Sequence, residues 1–458
     1  MSRSCTLDPE TRDAVESFVG EWLIDETVPS AGVALVDGDD VVYVDGFGAR
    51  DLESNAPATP DTLYGIASIT KSVAATSVLQ LVDDGHLSLS DPVTEHLPYF
   101  EELAESPTVH ELLSHTSGMP SDGASVTLIA RLLGEGTETA PLSSDADFRR
   151  HVRESTDERA AGERFFYYNT GYTVLGKLVE AIDGRSFPEY AREEVLAPLG
   201  MDRSVVRGDP EDYDDAMTPY RIEDGEVTCA DYPVKGVGAA GGMLSTARDF
   251  ATYLQFAMHG DESVLPDAQR ELAQAAQATR TERLDGPDER YGYGWMRRPF
   301  LDDDLVGHSG TLTVTSAYLG FLEDREVGVA VACNTAPDVH PMYVGPALLA
   351  LVEGEDPEDV VSFYALRAKC RRVAGTYKSF RSAATADVEP AAGSLDVTLS
   401  TALGEETLTA FPETTARDDY QFYTVSAGGD RVPLTFEPTD NGGLDCYYQR
   451  WRLHETSD

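Results

Sequence analysis

Thr62-Leu63-Tyr64-Gly65-Ile66-Ala67-Ser68-Ile69-Thr70-Lys71 is the stretch from which the rest of the chain can be read. Its first six residues form an extended run. After Ser68, the residues Ile69, Val73, Ala74, Val78, Leu79, Leu81 and Val82 place apolar side chains on nearly all sides of a helix. That pattern predicts a buried helix. Asp83-Asp84-Gly85 supplies its C-terminal stop, so Ser68 falls at the helix start, where free N–H groups and the macrodipole favour developing negative charge. An oxyanion would be stabilised there. Ser68 and Lys71 are spaced i, i+3, which puts both on one helix face with roughly 5–6 Å between Cβ atoms. The chain holds five lysines against thirty arginines, yet lysine stands at this position. Arginine stays protonated, with a pKa above ~12, whereas a desolvated lysine beside another cation can lose its proton near neutral pH.

Ser-x-x-Lys alone recurs by chance in long chains. Two further motifs follow it in order, Tyr167-Tyr168-Asn169 and His308-Ser309-Gly310. Each supplies residue types that nucleophilic acyl transfer needs, and together they indicate a serine hydrolase. Among the other histidines, His115 in His115-Thr116-Ser117-Gly118 reads as a loop-fixing residue, and His86, His96 and His110 as structural or exposed. No metal-ligand spacing is apparent, so neither metal nor cofactor is expected. Tyr291-Gly292-Tyr293-Gly294-Trp295 is an aromatic stripe that suits a core and a pocket wall equally well.

A chain of 458 residues exceeds one ordinary core and implies two domains, or three if a large insertion packs separately. The 81 acidic against 35 basic residues give a formal charge of −46, which argues against nucleic acid and against anionic membrane surfaces as partners. The carboxylates fall in small clusters such as Asp37-Gly38-Asp39-Asp40, Asp302-Asp303-Asp304 and Glu353-Gly354-Glu355-Asp356, so they read as a solvated surface. With lysine scarce, that surface resembles those of proteins from salt-accumulating halophiles, where concentrated counter-ions screen self-repulsion. The five cysteines, Cys5, Cys229, Cys333, Cys370 and Cys446, lack C-x-x-C spacing and are expected to be reduced. The N-terminus lacks an apolar signal core, and no stretch approaches the ~20 apolar residues of a membrane span. A cytoplasmic protein without membrane insertion is expected, and a homo-oligomer is compatible with the sequence.

Working outward, Asp8 to Leu23 reads as an amphipathic helix. Ala31–Val36 and Val41–Val44 read as a hairpin around Asp37-Gly38-Asp39-Asp40. Ser90 to about Tyr220 reads as mostly helical, with Ser121–Ala160 the least regular part. Strand-like runs return at His308–Leu322 and Val327–Asn334, and Pro341–Val352 closes with a helix. Strands at both ends with helices between predict an α/β (α+β) fold whose antiparallel sheet takes its strands from distant parts of the chain. Residues 353–360 are rich in charge and turn formers and read as a linker between domains at 1–352 and 361–458. The second domain shows period-two stretches, Leu395/Val397/Leu399 and Val432/Leu434/Phe436, with turn signals such as Asp440-Asn441-Gly442-Gly443, and is expected to be all-β.

With the motifs placed, residues about 8–352 resemble the penicillin-recognising serine hydrolases: class C β-lactamases, esterases of that fold, D-aminopeptidases and DD-carboxypeptidases. Further segments carry the likeness in the family's order: Gly85-His86-Leu87-Ser88-Leu89-Ser90-Asp91-Pro92-Val93, Leu112-Leu113-Ser114-His115-Thr116-Ser117-Gly118-Met119, Pro198-Leu199-Gly200-Met201 and Gly241-Gly242-Met243-Leu244-Ser245-Thr246. The resemblance implies a β-lactamase/transpeptidase-like fold with a mostly helical subdomain. The C-terminal segment is similar to the lipocalin-like barrel that some of these hydrolases carry. By resemblance Ser68 is the nucleophile, Lys71 and Tyr167 share proton transfer, and Asn169 orients substrate and lysine. The resemblance also implies that the backbone N–H groups of Ser68 and Thr311 form the oxyanion hole and that His308, Gly310 and Thr311 line the substrate site.

The sequence departs from the family pattern at Tyr168, where a small residue is usual, and at Ala161-Gly162, where Pro-Gly is common. His308-Ser309-Gly310 replaces the Lys-Thr-Gly of β-lactamases and DD-peptidases. Histidine, with a reference pKa of ~6.5, offers no permanent cation to a substrate carboxylate, and its charge is expected to change near neutral pH. The expected activity is metal-independent cleavage of a small-molecule or short-peptide ester or amide through an acyl-enzyme, aminopeptidase- or esterase-like. The alternatives are a β-lactamase or DD-carboxypeptidase, or a catalytically silent ligand-binding module of the same fold.

Overall fold

The computed structural model describes residues 6–97, 106–119, 164–233 and 238–456. Two compact units emerge: residues 1–282 with 287–352, and residues 353–458 with the short segment 283–286. The irregular stretch expected at Ser121–Ala160 lies outside the described residues.

In the first unit, Asp8 caps a helix over Pro9–Asp25 by accepting the N–H groups of Glu10 and Thr11, and Pro9 opens the helix. Donors left over by the first turn are thereby satisfied. The hairpin expected next forms from Ser30–Asp37 and Asp40–Asp51, with Gly38 in the turn at φ +58°. These strands enter a nine-stranded antiparallel sheet among the described residues. Its order is Ala56–Pro57, Asp40–Asp51, Ser30–Asp37, Val327–Cys333, Thr315–Leu322, Asp303–Leu312, Met296–Phe300, Glu289–Tyr291 and Ala278–Thr281. Ser30–Asp37 and Val327–Cys333 pair from Ala31↔Cys333 to Asp37↔Val327, so the sheet centre joins the two ends of the unit. The run His308–Leu322 is a hairpin of two strands rather than one. Three strands before it, Ala278–Thr281, Glu289–Tyr291 and Met296–Phe300, escaped the sequence reading because they are short and rich in arginine.

Both faces of the central strands are covered. A Cβ added at Gly328 would meet Leu254 of the helix Ala247–His259, while one added at Gly345 of the helix Pro341–Val352 would meet Tyr318. Tyr318 pairs with Val331, three residues from Gly328. The period of two therefore puts Val331 and Gly328 on opposite faces. Val327–Cys333 is buried throughout, as a strand sandwiched between helices must be.

The span expected to be helical up to Tyr220 contains, among its described residues, the helices Val109–Leu113, Asn169–Asp183 and Phe187–Tyr190 and a π-helical turn over Ala191–Leu196. It also contributes Val205–Val206 to a small sheet with Tyr64–Gly65 and Met243–Ser245. No helix among the described residues is long and apolar enough to cross a membrane. Cys229, Cys333, Cys370 and Cys446 are free thiols.

The second unit begins with short and longer helices, Pro357–Val360 and Ser362–Val373, and continues as a closed antiparallel barrel. Its eight strands run in chain order from Gly375–Lys378 to Trp451–Glu455, and the last pairs with the first at Tyr377↔Glu455 and Lys378↔His454. Closure removes open sheet edges. Val388, Leu395, Val397, Phe422, Leu434, Phe436, Cys446 and Leu453 fill its interior. Lys369 is buried as well, its ammonium donating to the Thr414 carbonyl at 2.7 Å. Asp285 accepts from the Thr415 N–H at 2.6 Å.

Candidate active site

Ser68 sits in a 3₁₀ turn, Ala67–Ile69, from which the helix Thr70–Asp83 continues. The turn is held from three sides. Thr70 Oγ1 donates to the Ala67 carbonyl at 2.7 Å and accepts the Met243 N–H, while the Ile66 N–H donates to the Met243 carbonyl. On the third side, a Cβ on Gly310 would lie 2.1 Å from the Ile66 carbonyl oxygen and 2.9 Å from Ser68 N. Only glycine lets the strand Asp303–Leu312 pass so close to the backbone of Ser68. Ala67 takes φ +46°, a conformation rare for a residue with a Cβ. The helix is buried on all sides, as expected, and Gly85 follows its end at φ +73°.

Lys71 is wholly buried, whereas Ser68 is partly exposed. The Lys71 Nζ lies 3.0 Å from Ser68 Oγ, 2.6 Å from Asn169 Oδ1 and 2.6 Å from the Ala240 carbonyl. It also lies 4.8 Å from the Tyr167 ring centroid and 5.6 Å from that of Tyr172. Asn169 opens the helix Asn169–Asp183 and so brings the second motif to the amine.

His115 fastens that motif. Its carbonyl accepts the Phe166 N–H at 2.8 Å and its Nδ1 accepts the Tyr168 N–H at 3.0 Å, so it grips the chain on both sides of Tyr167. Its ring lies 4.3 Å from that of Tyr167. An Nδ1 that accepts is unprotonated. Burial, and then the charge of Lys71, push the His115 pKa well below the usual histidine value. Tyr168, bulky where the family pattern has a small residue, is buried and lies where a Cβ on Gly171 would touch its ring at 3.0 Å.

His308 is buried too, with Nδ1 donating to the Ser309 carbonyl at 2.6 Å and Nε2 accepting from the Tyr291 hydroxyl at 3.1 Å. Burial first, and then the Lys71 charge, bring its pKa down to about 3. The expectation that His308 changes charge near neutral pH is therefore corrected: an imidazole enclosed beside an amine is neutral throughout the physiological range. Tyr291 and Tyr172 are buried phenols with pKa values raised well above the usual, chiefly by burial. The aromatic stripe is thus both: Tyr291 abuts the site at His308, and Trp295 stacks on Tyr253 in the core.

The structure brings Ser68, Lys71, Tyr167, Asn169, His308 and Gly310 into one cluster, with Thr311 at its exposed rim. His340 is a neighbour that the sequence reading missed. Its Nε2 lies within hydrogen-bond distance of Thr311 Oγ1. Their separation of 29 positions in sequence hides the pairing from any local pattern. Asp91, Glu95 and His96 form a separate cluster in which His96 already pairs with Asp91 at 3.3 Å.

The Beta-lactamase family matches residues 12–353, and the Pab87 octamerisation domain matches residues 357–454. Among solved structures, the octameric penicillin-binding protein homologue from Pyrococcus abyssi is 34% identical, with a TM-score of 0.87 over 97% of this chain and 99% of that one. Protein flp of Staphylococcus aureus is 25% identical over 74% of this chain and 66% of its own length. This chain thus spans just under two thirds of that relative. Esterase EstB of Burkholderia gladioli is 29% identical over 68% of this chain and 86% of its own.

Proposed function

We propose that this chain, which belongs to the Beta-lactamase family, is a serine hydrolase that cleaves a small ester or amide through an acyl-enzyme on Ser68, in the manner of an esterase or aminopeptidase. The observation that carries this reading is the set of oxygens around Lys71. Asn169 Oδ1 and the Ala240 carbonyl can only accept, whereas Ser68 Oγ can also donate. As an ammonium Lys71 can donate to all three. Once it has given up a proton, its N–H groups can hold the first two while its lone pair takes the Ser68 proton. Ser68 Oγ attacks the substrate carbonyl carbon as that proton moves to Lys71, with Tyr167 beside the amine to share the transfer.

The oxyanion forms against the N–H groups of Ser68 and Thr311, which the seat at Gly310 keeps together. Collapse breaks the bond to the leaving group, whose oxygen or nitrogen takes the proton back. Water then repeats the sequence and frees Ser68.

A neutral, enclosed His308 gives a substrate carboxylate no cation, which disfavours penicillins and peptides with a free C-terminus. The name of the Burkholderia relative supports the ester half of the proposal. The octamerisation-domain match and the octameric Pyrococcus homologue support homo-oligomerisation of this chain. We further propose a hydrolase domain at 1–352, a linker at 353–360, a barrel domain at 361–458, and residence in a salt-rich cytoplasm.

Labelling with a fluorophosphonate in molar salt, read by intact mass, tests the reading. One adduct on the wild type and none on Ser68→Ala is expected. No adduct, or one that survives Ser68→Ala, would favour the silent binding module.

A further inference from the structure

We infer that His115 is a positioning residue for the acyl-transfer step: it sets the Tyr167 phenol beside Lys71, and Ser68 loses reactivity when that hold is released. The inference rests on the proposed acyl-transfer site and adds to it a residue that acts through Tyr167.

Two features of His115 are unfavourable in themselves. Its backbone takes φ +56°, a region that glycine enters far more readily. Its Nδ1 accepts the Tyr168 N–H, so the ring proton lies on Nε2, which is buried without a hydrogen-bond acceptor among the described residues. Glycine would close the same loop without strain and without a buried donor. Local strain persists where the surrounding structure enforces it, and such places cluster at functional sites.

What the histidine side chain adds is directed at Tyr167. The backbone carbonyl of His115 would hold the Phe166 N–H whatever the residue, but only an acceptor such as Nδ1 holds the Tyr168 N–H as well. The imidazole lies 4.3 Å from the Tyr167 ring with the planes 36° apart, so it backs the phenol whose main chain it pins. Lys71 Nζ is 4.8 Å from the centroid of that phenol. His115 is anchored in turn. The Thr116 N–H donates to the Glu111 carbonyl at 2.9 Å and the Tyr172 hydroxyl to the Leu113 carbonyl at 2.7 Å, both on the helix Val109–Leu113. Phe165 and Tyr291 place their rings 5.6 and 4.9 Å from the imidazole. A proton transfer shared by Lys71 and Tyr167 slows when their geometry slackens, so His115 acts on the rate of bond formation and not on how the substrate is held.

Fluorophosphonate labelling of Ser68, followed by intact mass at several probe concentrations, separates the maximal rate kinact from the half-saturating concentration KI. His115→Gly keeps the carbonyl and suits the positive φ, and should lower kinact about 100-fold with KI within about threefold. His115→Asn keeps an acceptor near the place of Nδ1 but not the ring, and should lower kinact about tenfold. The deciding arm is the Tyr167→Phe background. There either His115 substitution should lower kinact by less than about twofold further, because its effect runs through the phenol hydroxyl. If His115→Gly loses its near-UV circular dichroism, His115→Asn in the two backgrounds decides by the same rule. An unchanged kinact, a loss carried by KI, or a loss undiminished in Tyr167→Phe would each overturn the inference. No adduct on the wild type would remove the acyl-transfer reading and this inference with it, whereas a labelled wild type with any of those three results removes the inference alone.

Discussion

Lys71 and Lys369 are both buried amines, one in each compact unit, in a chain that otherwise relies on arginine. The partners named for each differ in counter-charge. The oxygens named around Lys71 belong to a hydroxyl, a side-chain amide and a backbone carbonyl, all neutral. Burial lowers the Lys369 pKa too, but the charges of Asp419, Asp285 and Asp418 favour its ammonium form. A buried lysine is therefore no signature of catalysis. What separates a proton carrier from a structural cation is whether carboxylates stabilise the charge.

The sharpest way to break this comparison is to replace each amine in turn. Lys71→Arg should lower kcat by at least ~10³-fold on any ester the wild type cleaves, because a guanidinium cannot take the Ser68 proton. A variant that keeps more than a tenth of wild-type kcat would show that titration of the amine is not what the site uses.

Salt separates buried from exposed charge. Raising KCl from about 0.1 to about 3 M shrinks the screening length severalfold and should raise Tm by roughly 10 °C, since the self-repulsion lies among exposed carboxylates. A flat Tm over that range would leave the halophile reading without support.

Acid probes the imidazoles held neutral beside Lys71. His308 titrates at about 3 in the folded protein and near 6.5 when unfolded. The unfolded chain therefore binds the proton first as pH falls. The stability from this residue is complete above pH ~6.5 and is lost progressively towards pH ~3, by about 1.4 kcal/mol per pH unit. Denaturant midpoints followed against pH should fall less steeply for His308→Asn than for the wild type. Parallel curves would return His308 to an ordinary pKa. In kcat/KM, no ionisation of His308 should appear between about pH 6 and 8.

The smallest effect is expected at the second amine. Lys369→Met should leave ester hydrolysis unchanged and cost about 1 kcal/mol, or a few degrees in Tm, for the stranded Thr414 carbonyl. Loss of turnover on the scale of Lys71→Arg would erase the distinction between the two lysines.

The elements legible in sequence were those whose cause is local. The i, i+3 spacing of Ser68 and Lys71, the stop at Gly85, the hairpin at Asp37-Gly38-Asp39-Asp40 and the helix Pro341–Val352 all follow from neighbours in the chain. The all-β character of the second unit followed from period-two runs and turn signals, and its closure into a barrel from the resemblance to lipocalin-like domains. The state of His308 did not, because its enclosure and the amine beside it come from other parts of the chain. The grip of His115 on Tyr168 spans 53 residues, and the contact of His340 with Thr311 joins a strand end to a helix start. The strand Met296–Phe300 carries two arginines and a proline, which hid its place in the sheet.

The clasp on Val339, whose carbonyl accepts from Trp22 Nε1 and whose N–H donates to Glu26 Oε2, bears on how the first unit is completed. Trp22 and Val339 are 317 residues apart, and Ser30–Asp37 likewise waits for Val327–Cys333. On the ribosome, Ser68, Lys71 and Tyr167 emerge long before the strand Asp303–Leu312, which packs on Ser68, and the helix Pro341–Val352. Pairings so distant in sequence form late, after the loop between them has been closed. A growing chain thus carries Ser68 before the strand that passes over it, and the proposed site is complete only when the first unit has been made almost to its end.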